Sequence, residues 1–143
     1  MNHCIALFPV ALYFVVGLIS LVMAFKSLFA RKFLPFHESA AKKSWNDLDK
    51  PLQSVVITLL RISGLGFLVV GLVLIVFPIV NIYLHDIFAA FAIPGAALVY
   101  CIGLFRANFN LYKQTGTETP WKGSLAAAGA LVIGIILSIL SYL

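Results

Sequence analysis

Residues 55–80 read VVITLLRISGLGFLVVGLVLIVFPIV, a stretch in which Arg61 is the one charged residue. A helix that crosses the hydrocarbon core of a bilayer needs about 20 mostly apolar residues. Three further stretches of similar character are residues 5–25, 87–105 and 124–143. Because backbone groups in lipid must be hydrogen-bonded internally, and strand-like alternation is absent, these stretches predict helices. The sequence therefore predicts an all-α, integral membrane four-helix bundle that occupies residues 1–143 as a single domain.

The overall composition agrees with this prediction. Hydrophobic residues make up 62% of the chain and the mean hydropathy is +1.06, which is too apolar for an ordinary soluble domain of this length. The formal net charge of +5 would suit a nucleic-acid-binding protein. However, the basic residues flank the apolar stretches, where attraction to anionic headgroups explains them. We therefore expect membrane lipids as partners and no nucleic acid.

The basic residues are unevenly distributed along the chain. Nine of the ten follow the first or the third apolar stretch, namely Lys26, Arg31, Lys32, Lys42, Lys43 and Lys50, and then Arg106, Lys113 and Lys122. Loops rich in Lys and Arg remain in the cytoplasm. The distribution predicts a multi-pass protein of the inner membrane, with both basic loops cytoplasmic and both termini extracytoplasmic.

The polar segment after the first span has a helical pattern. Pro35 suits a first helical turn, and apolar or aromatic residues then recur at three- and four-residue spacing as far as Leu48. We predict a short amphipathic helix at about residues 35–49, lying in the cytoplasmic interface. Since aromatic rings favour headgroup level, the predicted interfacial anchors are Phe33, Phe36, Trp45 and, before the fourth span, Trp121.

Small residues line one face of each predicted span, which matters because they permit close helix approach in lipid. The four faces are Ala6, Tyr13, Gly17, Ser20 and Ala24; Gln53, Ile57, Arg61, Gly64, Leu68, Gly71 and Ile75; Ala89, Ala92, Ala96, Val99, Gly103 and Arg106; and Ala127, Ala130, Gly134, Ser138 and Ser141. These faces predict a tight bundle. A second small surface, at Gly66 or Gly129, would allow a homo-oligomer or membrane protein partners.

Arg61 is the most informative charged residue, because it lies inside a span and shares a face with Gly64. An ionisable residue in a span predicts a functional site, and the guanidinium fork suits phosphate or carboxylate. We expect an anion or lipid-headgroup site that faces the bundle and is formed by Arg61, Arg106, Gln53, Asn108 and Asn110. The alternative is that Arg61 only snorkels to the headgroups, since it lies about 9 Å from the start of the apolar run.

Two other polar sets contain residue types that carry chemistry. His37 and Glu38 could act as acid and base, but adjacent helical residues point in different directions, so a headgroup-facing surface explains them better. The second set, of types that bind metals, is His3, Cys4, His85 and Asp86. Its spacing matches no metal site, and Asp86 is explained as a helix N-cap. The sequence predicts no catalytic residue, no metal and no cofactor.

One run of residues resembles a family pattern. Between residues 34 and 71 the chain has P-F-H at 35–37, W-x-x-L at 45–48 and L-x-R-x-x-G-x-G at 59–66. This run resembles small, uncharacterised bacterial four-span inner-membrane proteins. The resemblance implies a bacterial inner-membrane protein and assigns no activity.

Two functions are compatible with these features, and a third, an intramembrane enzyme, would need an acid–base pair converging near Arg61. The first is a structural or accessory protein, not an enzyme, that packs against membrane proteins or lipids through its small-residue faces. The alternative is a small transporter, or a lipid- or anion-binding protein, that uses Arg61 and Arg106 at the cytoplasmic side of the bundle.

Overall fold

The computed structural model describes the backbone of residues 2–142 and the side-chain surroundings of residues 7–141. Its α-helices are α1 (Asn2–Leu28), α2 (Pro35–Ala41), α3 (Lys50–Leu84), α4 (Ile87–Thr115) and α5 (Trp121–Tyr142). A single 3-10 turn, Trp45–Asp47, lies between α2 and α3. Within the described range, α1, α3, α4 and α5 are each long and apolar enough to cross a membrane. The prediction of a helical chain with four membrane-length helices is confirmed.

The link between α3 and α4 consists of two residues. His85 adopts a left-handed conformation with φ of 51°, which ends α3. Asp86 then begins α4, and its Oδ1 accepts the backbone N–H groups of Phe88 at 2.9 Å and Ala89 at 3.4 Å. These bonds satisfy donors that have no partner within a helical first turn. The predicted N-cap role of Asp86 is confirmed, and the short link makes α3 and α4 antiparallel.

The closest helix contact joins α1 to α3 at glycines. A Cβ atom added at Gly17 would lie 2.7 Å from Ile75 Cγ1 and 3.1 Å from the carbonyl oxygen of Gly71. One added at Gly71 would lie 2.8 Å from Leu21 Cδ2. Because neither position has room for a side chain, the two backbones approach more closely than larger residues would permit.

The four long helices form a ring in which α1 packs between α3 and α5, and α4 packs on α5. The ring closes through a smaller contact between α3 and α4. Gly134 of α5 lies against the ring of Tyr13, with an added Cβ only 2.6 Å from Tyr13 Cε1. The core is centred on apolar side chains from all four helices, including the fully buried Leu74 and Leu131.

The predicted packing faces are right for α1 and partly wrong elsewhere. In α1 the described members of the stripe are all buried, namely Tyr13, Gly17, Ser20 and Ala24, and the side chain of Ala6 lies outside the described residues. In α5, Gly134 and Ser138 are buried as predicted, whereas Ser141 is exposed. In α3 the glycines at 64 and 71 are buried, but Arg61 is exposed.

In α4 the predicted face is wrong. The buried residues of this helix are Ala90, Pro94, Ala97 and Cys101, whereas Ala96, Val99, Gly103 and Arg106 are exposed. The face that is buried lies about one residue further along the chain than the predicted face. This difference corresponds to a rotation of about 100° around the helix axis. Small residues stand side by side in this helix, as at 89–90 and 96–97, so composition by itself does not distinguish the two faces.

The predicted helix over residues 35–49 is shorter than expected. It ends at Ala41, because Lys42 takes a left-handed conformation with φ of 51°. The chain then turns back through Ser44, whose N–H donates to Asp47 Oδ2 at 3.1 Å, and reaches the start of α3. Thr117 Oγ1 donates to the carbonyl of Ser39 at 3.4 Å and holds α2 near the end of α4.

Candidate functional site

All ten Lys and Arg residues lie toward the same end of the bundle, which we call the basic end. They occupy the last turn of α1, the segment between α1 and α3, the first third of α3, the second half of α4 and the start of α5. Four of the five carboxylates, Glu38, Asp47, Asp49 and Glu118, share this end, and Asp86 lies at the other. The basic end therefore carries a clear excess of positive charge.

Arg61 separates two uncharged stretches of α3, residues 51–60 and residues 62–84. Residues 62–84 contain no charged residue and span about 35 Å at 1.5 Å per residue. This length is enough to cross a hydrocarbon core of about 30 Å. Residues 62–84 are therefore long enough to cross a membrane by themselves, and Arg61 lies at their basic-end side.

An open groove lies along the first turns of α3, and we call it the Arg61 groove. Its volume is about 490 Å³, and its lining residues are Trp45, Lys50, Gln53, Ser54, Ile57, Thr58 and Arg61. Six of these belong to α3, at positions 50, 53, 54, 57, 58 and 61, and this pattern places them on a single face of the helix. Trp45 comes from the 3-10 turn and forms the remaining wall.

Gln53 fixes the wall of the Arg61 groove. Its Nε2 donates to the carbonyl oxygens of Trp45 at 3.0 Å and Leu48 at 3.1 Å. These bonds tie the segment before α3 to the first turns of the helix. Phe33 packs edge-on against the Trp45 ring, with centroids 5.2 Å apart, and supports it from the α1 side.

The electrostatic character of the Arg61 groove is positive. Lys50 and Arg61 both line it, and no carboxylate does. Among the described residues, one ion pair lies within 4.0 Å, and it joins Lys122 to Glu118 rather than involving the groove. The Arg61 guanidinium group has no hydrogen-bond or ion-pair partner among the described residues, and beside hydroxyl and amide groups it suits a phosphate or carboxylate group.

The structure does not bring Arg61 and Arg106 together in one cleft. The Tyr100 hydroxyl of α4 donates to the Ser63 carbonyl at 3.3 Å and lies against Gly66, which identifies the side of α3 that faces α4. Arg61 is rotated about 160° from Ser63 around the helix axis. It therefore points away from α4, and the prediction that it faces the bundle is wrong.

The other predicted site residues divide between different surfaces. Gln53 belongs to the Arg61 groove, whereas Asn108 lines a separate cavity and donates through Nδ2 to the Leu104 carbonyl at 3.0 Å. Arg106 and Asn110 are exposed on α4 and line neither of these clefts. A binding role for these residues stays a prediction, but a single site containing them all is not formed.

The second cavity has an apolar character, and we call it the α1–α5 cavity. Its volume is about 390 Å³. The α1 side is Val15, Val16, Ile19, Ser20 and Met23; the α5 side and its approach are Pro120, Gly123, Ser124, Ala126, Ala127 and Ala130; and the inner wall is Phe67, Tyr100, Cys101, Leu104 and Asn108. This cavity was not predicted from the sequence. The signal that could have indicated it is the series of small residues at the start of α5, because small side chains leave space between neighbouring helices.

Aromatic residues gather at the basic end in two groups. The predicted anchors Phe33 and Phe36 lie against His37, with ring centroids 6.3 and 3.9 Å from that of His37, and the predicted anchor Trp45 packs against Phe33. The predicted anchor Trp121 instead packs in a cluster with Phe105, Phe109 and Tyr112. That cluster, which sequence reasoning missed, joins the start of α5 to the end of α4.

His37 is half-buried beside Phe33 and Phe36. Its Nδ1 is buried and finds no hydrogen-bond partner among the residues that the structure describes. Burial lowers the pKa of His37 below its ordinary value of 6.5, because the apolar surroundings disfavour the charged ring. Within residues 7–141 no three His, Cys, Asp or Glu side chains come close enough to hold a metal ion. The side chains of His3 and Cys4 lie outside the described residues.

Comparison of the chain with models of protein families, with characterised proteins and with solved structures finds no match. The resemblance carried by residues 34–71 stays a prediction.

Proposed function

We propose that this protein is a multi-pass accessory protein of the inner membrane that binds anionic phospholipid headgroups and is not an enzyme. In this proposal the basic end faces the cytoplasm, both termini are extracytoplasmic, and α2 lies in the cytoplasmic interface. The Arg61 groove holds the headgroup of a lipid in the cytoplasmic leaflet.

The observation that carries the proposal is the Arg61 groove itself. It combines two cations, no carboxylate, and hydroxyl and amide groups along the first turns of α3, at the basic end. Each basic residue near an anionic membrane surface contributes about 1 kcal/mol to lipid attraction. Arg61 adds a planar fork that can donate two hydrogen bonds to one phosphate group.

Simple snorkelling explains the depth of Arg61 but not its surroundings. A snorkelling side chain needs only water or headgroups within reach. Here Gln53 uses its amide to hold the Trp45 wall in position, which shapes a cleft beside the guanidinium group. A cleft with a fixed wall favours retention of a particular group over diffuse surface attraction.

The headgroup proposal is tested by comparing two arginine variants. The protein is reconstituted with equal amounts of phosphatidylglycerol and phosphatidylcholine of identical chains, and the retained lipid is quantified by native mass spectrometry. We expect Arg61→Gln to reduce the preference for phosphatidylglycerol about fivefold, which corresponds to the loss of about 1 kcal/mol. Lys50→Gln should also reduce the preference for phosphatidylglycerol.

Arg106→Gln is the matched control, because Arg106 is exposed at the basic end but does not line the groove. This variant should keep the native lipid preference. Equal losses in the two arginine variants would indicate general surface charge and would contradict a groove-specific site. An unchanged preference in Arg61→Gln would also contradict it.

The orientation is tested separately with single cysteines. In a variant with Cys101 and Cys4 replaced by serine, a cysteine at the exposed Ser141 should react with a membrane-impermeant maleimide in intact cells. A cysteine at the exposed Ser39 should react only after the membrane is opened. The reverse pattern would show that the basic end is extracytoplasmic.

A further inference from the structure

The α1–α5 cavity has an opening toward the lipid phase. Val15 and Ile19 of α1 line it and are 54% and 55% exposed, and Ala126 on the facing side of α5 is also exposed. The inner wall, by contrast, includes Cys101, which is 5% exposed. The cavity is therefore open to the side, between α1 and α5, and closed toward the centre of the bundle.

Four polar side chains, Ser20, Tyr100, Asn108 and Ser124, line the cavity, and they present little polar surface to an occupant. Ser20 is buried, and the Ser124 hydroxyl donates to the Pro120 carbonyl at 3.3 Å. The Tyr100 hydroxyl donates to the Ser63 carbonyl, and the Asn108 amide donates to the Leu104 carbonyl, so both of these groups are already engaged within the protein. An apolar cavity is unfavourable for water, and empty space leaves its walls without dispersion contacts. These features favour an apolar occupant drawn from the surrounding lipid.

The dimensions match one leaflet. From Val15 to Met23 the cavity extends about 12 Å along α1. Half of a hydrocarbon core is about 15 Å deep. The volume of about 390 Å³ falls within the range in which proteins enclose small apolar ligands. One acyl chain, entering from the leaflet at the basic end, would fill this space.

Two lysines mark where a headgroup would lie. Lys26 follows Val15, Ile19 and Met23 at spacings of four, four and three residues, so it continues the same face of α1 beyond the cavity. Lys122 lies four residues before Ala126, on the facing side of α5. Both lysines are exposed. The two lysines therefore place positive charge at the mouth of the cavity, and this charge is complementary to a phosphate group.

Glu118 offsets this charge only weakly. It lies 4.0 Å from the Lys122 ammonium, and the two side chains are 93% and 74% exposed. Exposed pairs of this kind are worth little. The Lys122 ammonium also lies 5.7 Å from the centre of the Trp121 ring, at the edge of the aromatic cluster.

We propose that the α1–α5 cavity holds one acyl chain of an anionic phospholipid, whose headgroup phosphate is bound by Lys26 and Lys122. The site is separate from the Arg61 groove, because the groove lies on the side of α3 that is turned away from α4. It uses none of the groove residues, so either site can be tested without the other.

The direct test is photocrosslinking of the unmodified protein. The protein is reconstituted with phosphatidylglycerol that carries a diazirine in one acyl chain, and the adducts are mapped by mass spectrometry. Adducts on Phe67, Cys101 and Leu104 are expected, since these residues form the inner wall. Adducts confined to outward-facing residues such as Val22 and Phe25 would overturn the proposal.

A filled cavity provides the second test. Ala130→Leu extends a side chain into the cavity and should reduce inner-wall adducts at least tenfold. Gly129→Leu is the matched control, because a Cβ added at Gly129 meets nothing within 4 Å and the residue is exposed. Inner-wall adducts that persist undiminished in Ala130→Leu would count against the site. Thermal unfolding shows whether each variant is folded. The crosslinking map of the unmodified protein does not depend on either variant.

The lysines are tested by changing the lipid. With the same diazirine chain on phosphatidylcholine, inner-wall labelling of the native protein should fall about fivefold. The double variant Lys26→Gln and Lys122→Gln should label equally with both lipids, while Arg61→Gln should keep the native difference. Equal labelling by both lipids in the native protein would overturn the assignment of the lysines. Absence of labelling together with a dimer in solution would assign the cavity to a second copy of the chain.

Discussion

The hydroxyl oxygens of Tyr13 and Ser138 lie 3.1 Å apart in a buried contact between α1 and α5. The two residues are separated by 125 positions in the chain, so the bond joins the first long helix to the last. On the basic side of this contact the two helices separate, and the α1–α5 cavity opens between them. The contact therefore lies at the boundary between the tightly packed part of the α1–α5 interface and the cavity.

Loss of the Tyr13 hydroxyl should weaken this contact between α1 and α5. Interhelical hydrogen bonds in membrane proteins are worth about 0.6 kcal/mol on average, and up to about 1.7. We expect Tyr13→Phe and Ser138→Ala each to lower the free energy of unfolding in detergent by about 1 kcal/mol. The double variant should cost little more than either single one, since both remove the same bond.

Tyr83→Phe is the control for this experiment, because Tyr83 is 82% exposed. Its unfolding free energy should match that of the native protein. Fully additive effects in the double variant would show that the two hydroxyl groups do not interact.

The Gly17 contact should not tolerate a methyl group. An added Cβ would approach Ile75 Cγ1 to 2.7 Å and the Gly71 carbonyl oxygen to 3.1 Å, and the backbone atom cannot move aside easily. Overpacking of this kind costs about 1–3 kcal/mol. We expect Gly17→Ala to lower the unfolding free energy by that amount in a chemical denaturation experiment.

Gly103→Ala provides the comparison, because Gly103 is exposed and an added Cβ meets nothing within 4 Å. Alanine is the better helix former by about 1 kcal/mol, so this variant should be as stable as the native protein or more so. A destabilised Gly103→Ala variant would indicate that this face is covered by a partner.

The two aspartates that precede α3 and α4 should differ in importance. Asp86 caps α4 through two backbone N–H groups, whereas the Asp49 side chain makes no cap bond to α3. Replacement of an N-cap residue by alanine costs about 1 kcal/mol. We expect Asp86→Ala to lower the unfolding free energy by about this amount and Asp49→Ala to have a much smaller effect. Equal losses would show that the Asp86 bonds contribute nothing specific.

Acidification should loosen the α2 segment. The pKa of His37 is lower in the folded protein than in the unfolded chain, so the unfolded chain binds a proton more readily. The free energy of unfolding therefore rises with pH between the folded-state pKa and the unfolded-state pKa. Stability is therefore constant above the ordinary pKa of 6.5 and falls as pH drops below it. After correction for intrinsic exchange rates, the protection of residues 35–41 against hydrogen exchange should fall between pH 7 and pH 5.

His37→Gln should remove this part of the pH dependence. The same change at His85, which is exposed at the opposite end of the bundle, should leave it intact. Exchange rates in α2 that rise equally on acidification in the native and His37→Gln proteins, after correction for intrinsic rates, would assign the effect to other groups.

Local sequence signals were sufficient for the existence of the four long helices and for the start of α4. The lengths of the four apolar stretches, the run of small residues on α1, and the Asp86 cap all follow from interactions within one helix or its first turn. The clustering of Lys and Arg at one end is likewise a property of chain order. These features depend on neighbours a few residues apart, which the sequence displays directly.

The direction of Arg61 and the existence of the two clefts were decided by tertiary structure. Arg61 shares a stripe with Gly64, but the crossing of α3 over α1 buries Leu60 and Gly64 and leaves the guanidinium group outside. In α4, small residues occupy two adjacent faces, and only packing against α5 selects between them. The α1–α5 cavity arises because two helices meet at Tyr13 and Ser138 and then separate. Such geometry is set by the summed contacts of four helices, which no single helix encodes.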